Sequence, residues 1–226
     1  MTSLQSAGGG RLVLFDFDGV IVAGDSFAGW LRREGLKPPL RRIAGWLVAP
    51  IGLPLMAFPS TLSLGARLFL HAAVLGADPV ALRASLEAWG RSLARRPGKV
   101  IGDGVSTLRA HLDAGDRVIV VSGTESSLLH AVLDELGVRG AGIVASELAL
   151  EGRFARVRRH CFGAGKLRAL AAAGIRPPWD FAYSDSPNDL PLLRGAREAV
   201  CVNWRPRQRE IAVRELGAAT RFVDWR

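Results

Sequence analysis

Apolar and polar positions alternate with two different periods along the chain. Short runs rich in β-branched and aromatic residues, at Arg11 to Phe15, Arg117 to Val121, Asp180 to Tyr183 and Ala199 to Val202, read as buried strands, with a weaker run at Gly142 to Ala145. Between them, Gly104 to Ala114, Glu125 to Leu136 and Gly165 to Ala173 carry apolar residues three and four apart, the spacing of one helix face. Gly115, Gly137 and Gly174 stand where those helices should stop. Strands alternating with helices of this length predict an α/β fold, a Rossmann-like parallel sheet with helices on both faces. The rhythm breaks between Ser26 and Arg96, which reads as helices punctuated by Pro38, Pro39, Pro50, Pro54, Pro59 and Pro79. The expected division is therefore a core of residues 1–25 and 97–226 and an inserted α-helical cap of residues 26–96. A smaller insertion, Glu147 to Val157, has two short runs about Glu151-Gly152 and predicts a β-hairpin.

Part of the cap is unusual. From Ile43 to Ala66 the chain runs 24 positions without a charge, bracketed by Arg41, Arg42 and Arg67. That length suffices to span a bilayer, but Pro50, Pro54 and Pro59 each remove a backbone donor and argue against one straight helix. Two readings follow, a helical pair buried in the cap or a segment that meets a membrane and turns back. Trp30, Trp46 and Trp89 are candidates for interfacial anchors or for cap core.

Composition narrows the function classes. With 226 residues, 49% hydrophobic and 23% charged, the chain is neither disordered nor collagen-like. Thirty Lys+Arg against 21 Asp+Glu give a net charge of +9, and 27 of the 30 cations are Arg, so the surface favours anionic partners. No helix-turn-helix, zinc finger or array of stacking aromatics accompanies that charge, and nucleic acid is not an expected partner. Cys161 and Cys201 lie far apart with no metal or disulfide spacing, and Met1 to Gly10 lacks the order of a signal peptide. A reducing, cytoplasmic-side location is expected. His71, His111, His130 and His160 have no mutual metal spacing.

The chemistry sits at the ends of the predicted strands, where loops of an open α/β sheet converge on one crevice. The first strand ends in Asp16-Phe17-Asp18-Gly19-Val20, the second in Ser122-Gly123-Thr124, and a later one in Ser184-Asp185-Ser186-Pro187-Asn188-Asp189. Lys166 opens the helix that precedes that last strand. Gathering Asp16, Asp18, Asp185 and Asp189 at one edge is repulsive unless a cation is present, and Mg²⁺ with oxygen ligands suits a site that also holds phosphate. A lysine and glycine amides at a helix N-terminus complement the rest of the phosphate charge.

This ordered set resembles the haloacid dehalogenase superfamily of phosphohydrolases over nearly the whole chain. The resemblance implies that Asp16 attacks phosphorus to form an aspartyl-phosphate, and that Asp18 protonates the leaving oxygen and then activates water. It implies that Ser122, Gly123 and Lys166 hold the phosphoryl oxygens. Mg²⁺ would be bound by Asp16, Asp185 and the main-chain carbonyl of Asp18, with Asp189 and Asn188 in support. Val20 stands where the family more often has Thr. The helical insertion, Asp25-Ser26 and Tyr183-Ser184-Asp185-Ser186 are similar to the branch that includes phosphoserine phosphatases. Those enzymes read the substrate amino group with a Glu where Asp25 stands here, which makes Asp25 a candidate for substrate specificity. The uncharged, proline-bearing cap and Arg159-His160-Cys161-Phe162-Gly163-Ala164-Gly165-Lys166 are similar in character to phosphatidylglycerophosphatase C, a membrane-associated member.

Three functions are carried forward: hydrolysis of a phosphorylated membrane lipid, hydrolysis of a small soluble phosphate such as phosphoserine, or a membrane-associated scaffold without turnover. Asp16 precedes the uncharged stretch, whereas Ser122, Lys166 and Asp185 follow it, yet all are expected in one site. A single crossing would separate them, so any segment entering a bilayer must return to the same side. Arg32, Arg33, Arg41 and Arg42 precede it and suit an anionic lipid surface. The clusters at Arg153 to Arg159 and Arg205 to Arg209 read as solvated faces.

Overall fold

The first predicted strand forms at the middle of a mostly parallel sheet in the computed structural model, which describes residues 10–58, 61–151, 154–218 and 220–226. Among these, seven strands are present: β1 (Leu12–Phe15), β2 (Arg117–Glu125), β3 (Gly142–Glu151), β4 (Phe154–Arg159), β5 (Trp179–Ser184), β6 (Ala196–Val202) and β7 (Arg221–Val223). Their order is β4-β3-β2-β1-β5-β6-β7, parallel throughout except that β4 runs antiparallel to β3. The helices are α1 (Ser26–Trp30), α2 (Pro39–Met56), α3 (Leu62–Val74), α4 (Pro79–Arg95), α5 (Gly102–Asp113), α6 (Ser126–Glu135), α7 (Ala164–Ala172), α8 (Leu190–Arg194) and α9 (Pro206–Leu216). A π-helical turn, Leu31–Gly35, continues α1.

Alternation along β1 sorts the core into two layers, because successive side chains leave opposite faces of a strand. Val13 and Phe15 pack with Leu86, Trp89, Leu108 and Leu129 from α4 to α6. Leu14 packs on the other face with Leu170, Leu192 and Ala212 from α7 to α9. Both faces of the sheet are thus covered, as the strand and helix pattern predicts. The strands that carry the motifs, β1, β2 and β5, are adjacent at the centre, so their carboxyl ends meet. Helices α5, α6 and α7 each end two residues before the predicted glycine.

The structure corrects three local readings. Strand β2 runs on through Ser122, Gly123 and Thr124 to Glu125, where a loop was expected; a register shift between Ser122 and Glu125 bulges it, and pairing with Ala145 and Ser146 of β3 holds it. Pro50 and Pro54 sit inside α2, which neither of them ends. They are four residues apart, so the donors they remove fall on one side of the helix and the other rows continue. The chain turns after Met56, and Pro59 lies outside the described residues. Strand β7 has three residues, too few for a periodic signal. The predicted hairpin forms as β3–β4, its turn at residues 152–153, like Met1 to Gly9, lying outside the described residues.

The amino end of the sheet is fastened by a polar chain that runs from exposed Arg11 to buried Asp116 and His111. Arg11 donates to both carboxylate oxygens of Asp116 at 3.1 and 2.8 Å. Asp116 and His111 Nδ1 are 2.7 Å apart, and His111 Nε2 lies 2.9 Å from the Tyr183 hydroxyl. Burial alone would raise the Asp116 carboxyl, but hydrogen bonds from Arg11 and His111 more than offset it and hold it at about 2. A carboxylate lowered in the folded state contributes stability above its ordinary range and loses it as pH falls toward its folded value. Asp116→Asn is therefore expected to lower stability by about 1–3 kcal/mol at neutral pH. The difference in Tm from the parent should shrink between about pH 4 and pH 2, as thermal unfolding followed by circular dichroism would record.

Candidate active site

Strand β1 delivers Asp16 and Asp18 to the carboxyl edge. The Asp16 amide donates to the Tyr183 carbonyl at 2.9 Å, which extends the β1–β5 pairing by one residue and fixes where the side chain starts. Its carboxylate is buried, and Oδ1 accepts from Phe17 N and from Lys166 Nζ, both at 2.7 Å. Lys166, in the first turn of α7 and only 3% exposed, also donates to Asp189 Oδ2 at 2.6 Å. The Ser184 hydroxyl donates to the same Asp189 oxygen at 2.8 Å. One buried ammonium thus bridges two buried carboxylates. Burial pushes the Asp16 carboxyl well above the ordinary range, Lys166 opposes that and the Asp189 charge adds to it. Burial would lower Lys166, but the two carboxylates outweigh it and raise its ammonium.

Asp18 faces the other way. Its Oδ1 accepts from Ser26 N at 3.0 Å and its Oδ2 from the Thr124 hydroxyl at 2.5 Å; Ser26 Oγ and Thr124 Oγ1 share a further bond of 2.9 Å. The start of the cap and the bulge of β2 therefore both orient this carboxyl. Burial pushes it up to about 6, the Thr124 bond lowers it in part, and the charge of Asp25 raises it. Ser122, buried in the bulge, accepts from Thr124 N at 3.0 Å. Gly123 lies beside the Phe162 ring.

Asp185 reaches the site through a gap that a side chain would fill. Gly19 has φ +76°, and a Cβ there would stand 1.9 Å from Asp185 Oδ2. Any other residue at position 19 combines an unfavourable left-handed backbone with a clash against this carboxylate. Burial pushes Asp185 up to about 6, the Asp189 charge adding to the effect. Asn188 is exposed, its amide donating to Ser186 Oγ at 3.3 Å. Asp25 is also exposed and caps α1, accepting from Ala28 N at 2.8 Å.

Of the residues singled out in the sequence, Asp16, Asp18, Ser122, Gly123, Lys166, Asp185 and Asp189 come to one edge, while Asp25 and Asn188 stand at its rim. Sequence reasoning missed the hydroxyls of Thr124, Ser26 and Ser184, which orient the carboxylates. They stand inside the quoted motifs, but a hydroxyl beside a glycine or an aspartate reads first as a turn residue.

The charge balance of the site fits a divalent cation. Among the described residues one buried ammonium pairs with Asp16 and Asp189, while Asp18 and Asp185 have no cation against them, and burial, with the Asp189 charge added, holds both Asp16 and Asp185 above the ordinary range. The donors are oxygen only, as a hard ion prefers. Among the described residues no three His, Cys, Asp or Glu side chains form a metal cage. Two carboxylates with a main-chain carbonyl do not require one.

Beside the site lies a cavity of about 180 Å³, walled by Phe27, Leu70 and Leu148 and by Gly123, with Arg67 and His160 at its edge. Burial, and then the charge of Arg67, lower the His160 imidazole. A larger cleft of about 480 Å³ between α4, α6 and β3 includes none of the motif residues in its lining.

Residues 13–194 match the family described as haloacid dehalogenase-like hydrolase. The chain is 37% identical over 125 residues to phosphoserine phosphatase SerB1 of Mycobacterium tuberculosis, covering 52% of this chain and 40% of that protein. It thus spans less than half the length of that curated relative. A solved structure of a protein of unknown function from Bordetella pertussis superposes with a TM-score of 0.71 at 24% identity, covering 95% of this chain and 98% of the other. The structure titled a phospho-aspartyl intermediate analogue of phosphoserine phosphatase superposes with a TM-score of 0.50 at 16% identity, over 89% and 90% of the two chains. These likenesses at low identity establish the fold.

Proposed function

Because the chain belongs to the haloacid dehalogenase-like hydrolase family, we propose that it is a Mg²⁺-dependent phosphomonoester hydrolase working through an aspartyl-phosphate on Asp16. The observation that carries this reading is the pair of aspartates with different surroundings: Asp16 buried and pinned by Lys166, and Asp18 held by the Thr124 hydroxyl and the Ser26 amide and pushed to about 6. Two carboxylates with different environments suit two roles. A carboxylate oxygen of Asp16 attacks phosphorus, and the bond from phosphorus to the substrate oxygen breaks. Asp18, protonated, gives its proton to that leaving oxygen. Asp18 then takes a proton from water, whose oxygen attacks phosphorus; the Asp16–phosphorus bond breaks and phosphate leaves. Ser122, the Gly123 amide and Lys166 hold the phosphoryl oxygens. Asp16, Asp185 and the Asp18 carbonyl would hold Mg²⁺, supported by Asp189 and Asn188, and the bound ion would supply charge neutralisation at phosphorus. Residues 1–25 and 97–226 supply the chemistry and the cap, residues 26–96, selects the substrate.

The substrate we assign is a phosphorylated membrane lipid such as phosphatidylglycerophosphate, met at the cytoplasmic side of the membrane. Apolar walls beside Gly123 and the apolar exterior of the cap support that assignment. The Asp25 carboxylate is engaged in capping α1, which weighs against its reading a serine amino group. The second reading, a small soluble phosphate, draws on the relative named phosphoserine phosphatase. A panel of phosphatidylglycerophosphate, phosphatidic acid, phosphoserine and an aryl phosphate, with and without detergent, separates them. The lipid should be hydrolysed fastest, and EDTA should abolish release until Mg²⁺ is restored. Preference for phosphoserine would overturn the lipid assignment, and release unaffected by EDTA the metal assignment. Retained Mg²⁺ binding without release from any of the four would favour a scaffold.

A further inference from the structure

Helix α2 is built inside out. A helix on a soluble domain turns its large apolar residues to the core and its small or polar ones to water. Here the buried residues of α2 are Gly45 and Gly52, while Trp46 is 75% and Leu47 73% exposed. Ile43, Ile51, Leu53 and Phe58 are each more than half exposed as well. The contact beneath is nonetheless specific. A Cβ on Gly65 of α3 would lie 2.6 Å from the Gly52 carbonyl, and one on Gly52 would lie 2.7 Å from the Phe69 ring. The two helices therefore meet nearly backbone to backbone, and α3 buries Leu70, Ala72, Ala73 and Val74 on the core side. Arg41 Nε donates to the Leu75 carbonyl at 3.1 Å and closes the base of the pair. A helix fastened this firmly, with its bulky residues outward, presents an apolar plate of the kind that marks an interaction surface.

We infer that α2 lies in the plane of an anionic bilayer surface, its outward apolar side chains among the acyl chains of one leaflet and α3 joining it to the core. Two features choose a lipid surface as the occupant. No charge interrupts the plate from Ile43 onward, whereas exposed Arg32, Arg33 and Arg42 stand at its amino-terminal end, where they meet anionic headgroups. Among the described residues no single helix is long and apolar enough to cross a membrane, and the pair Leu64–Val74 with Pro79–Arg95 that approaches this is bent by 111°. The apolar side of α4 in that pair belongs to the core through Leu82, Leu86 and Leu93. Arg67 and Leu70 of α3, the helix on which α2 packs, line the cavity beside Gly123. The inference concerns where the chain works and holds whether or not the phosphatase reading does.

Flotation of the full chain tests it with a readout independent of activity. The protein should float with vesicles of phosphatidylglycerol and phosphatidylcholine in equal amounts, and far less with phosphatidylcholine alone. Leu47→Glu combined with Ile51→Glu should weaken that partition about a hundredfold or more, with the thermal unfolding curve unchanged because both positions are outside the core. Replacing Arg32, Arg33 and Arg42 by Gln should narrow the preference for anionic vesicles roughly tenfold or more. In the parent protein, brominated lipid should quench tryptophan fluorescence, and Trp46→Phe should remove most of that quenching. Failure of the parent to float would overturn the inference, as would undiminished flotation of the Leu47→Glu, Ile51→Glu variant. A dimer in sedimentation that forms through α2 without lipid, while vesicles capture nothing, would assign the plate to a second copy instead.

Discussion

Asp16→Asn is expected to abolish turnover, by roughly 10⁴-fold or more on an aryl phosphate in Mg²⁺. The amide keeps the shape of the carboxylate and leaves an oxygen for Phe17 N and Lys166 Nζ, but it is not a nucleophile toward phosphorus. The same substitution should leave the fold intact or slightly more stable at neutral pH, and that separates its chemical role from a structural one. Burial and the Asp189 charge hold the Asp16 carboxyl above the ordinary range. A carboxyl raised in the folded state favours the fold while protonated and loses that contribution as pH rises through its folded value. At neutral pH its ionised form is thus a burden that the neutral amide removes, while Lys166 keeps its contact with Asp189. Acid-quenched labelling should trap phosphate on the parent protein and none on the variant, and Tm at pH 7 should not fall. Undiminished turnover by Asp16→Asn would sink the aspartyl-phosphate mechanism.

The central part of the fold and of the site was legible in the sequence for one reason. Strands β1, β2 and β5 are buried on both faces and read as continuous apolar runs, and the residues after Phe15, at Ser122 and after Ser184 sit at their carboxyl ends by the rule of open α/β sheets. What was illegible depends on tertiary contact. Thr124 matters because Ser26, from the far side of an insertion, comes within 2.9 Å of it, and no local spacing encodes that distance. The extension of β2 through Ser122-Gly123-Thr124 depends on pairing with β3, whereas glycine and serine on their own signal a turn. Pro50 and Pro54 argued against one straight helix because a proline was weighed singly, and α2 accommodates both within its length. The uncharged stretch left two alternatives open, burial in the cap or contact with a membrane. The structure buries Trp30 and Trp89 and leaves Trp46 exposed, a division that periodicity could not make because α2 is apolar nearly all round.

Lys166→Met is expected to damage both stability and catalysis, and the two losses can be separated. The substitution keeps length and apolar stem but deletes the charge that bridges Asp16 and Asp189 in a pocket where the lysine is 3% exposed. Removing one partner of a buried ion pair leaves uncompensated charge and destabilises by about 3–5 kcal/mol. In a chain of this size that amounts to on the order of 10 °C in Tm. The pH dependence has a definite sign. Without the ammonium, which opposes the effect of burial on Asp16, that carboxyl moves further upward, so the variant binds a proton in the folded state that the unfolded chain has already released. The stability difference from the parent should therefore be smallest in acid and grow as pH rises through the carboxylate range, the same direction as the trend expected for Asp116→Asn. Asp189→Asn added to Lys166→Met should recover part of the lost Tm, since one of the stranded charges is then neutral while the Ser184 hydroxyl can still donate to the remaining oxygen. Turnover should not recover, because the phosphoryl oxygens still lack their cation, a loss of about 10²–10³-fold for a group acting in the transition state. Recovery of turnover along with Tm in the double variant would make Lys166 a structural counter-ion only and remove it from the phosphate-binding set.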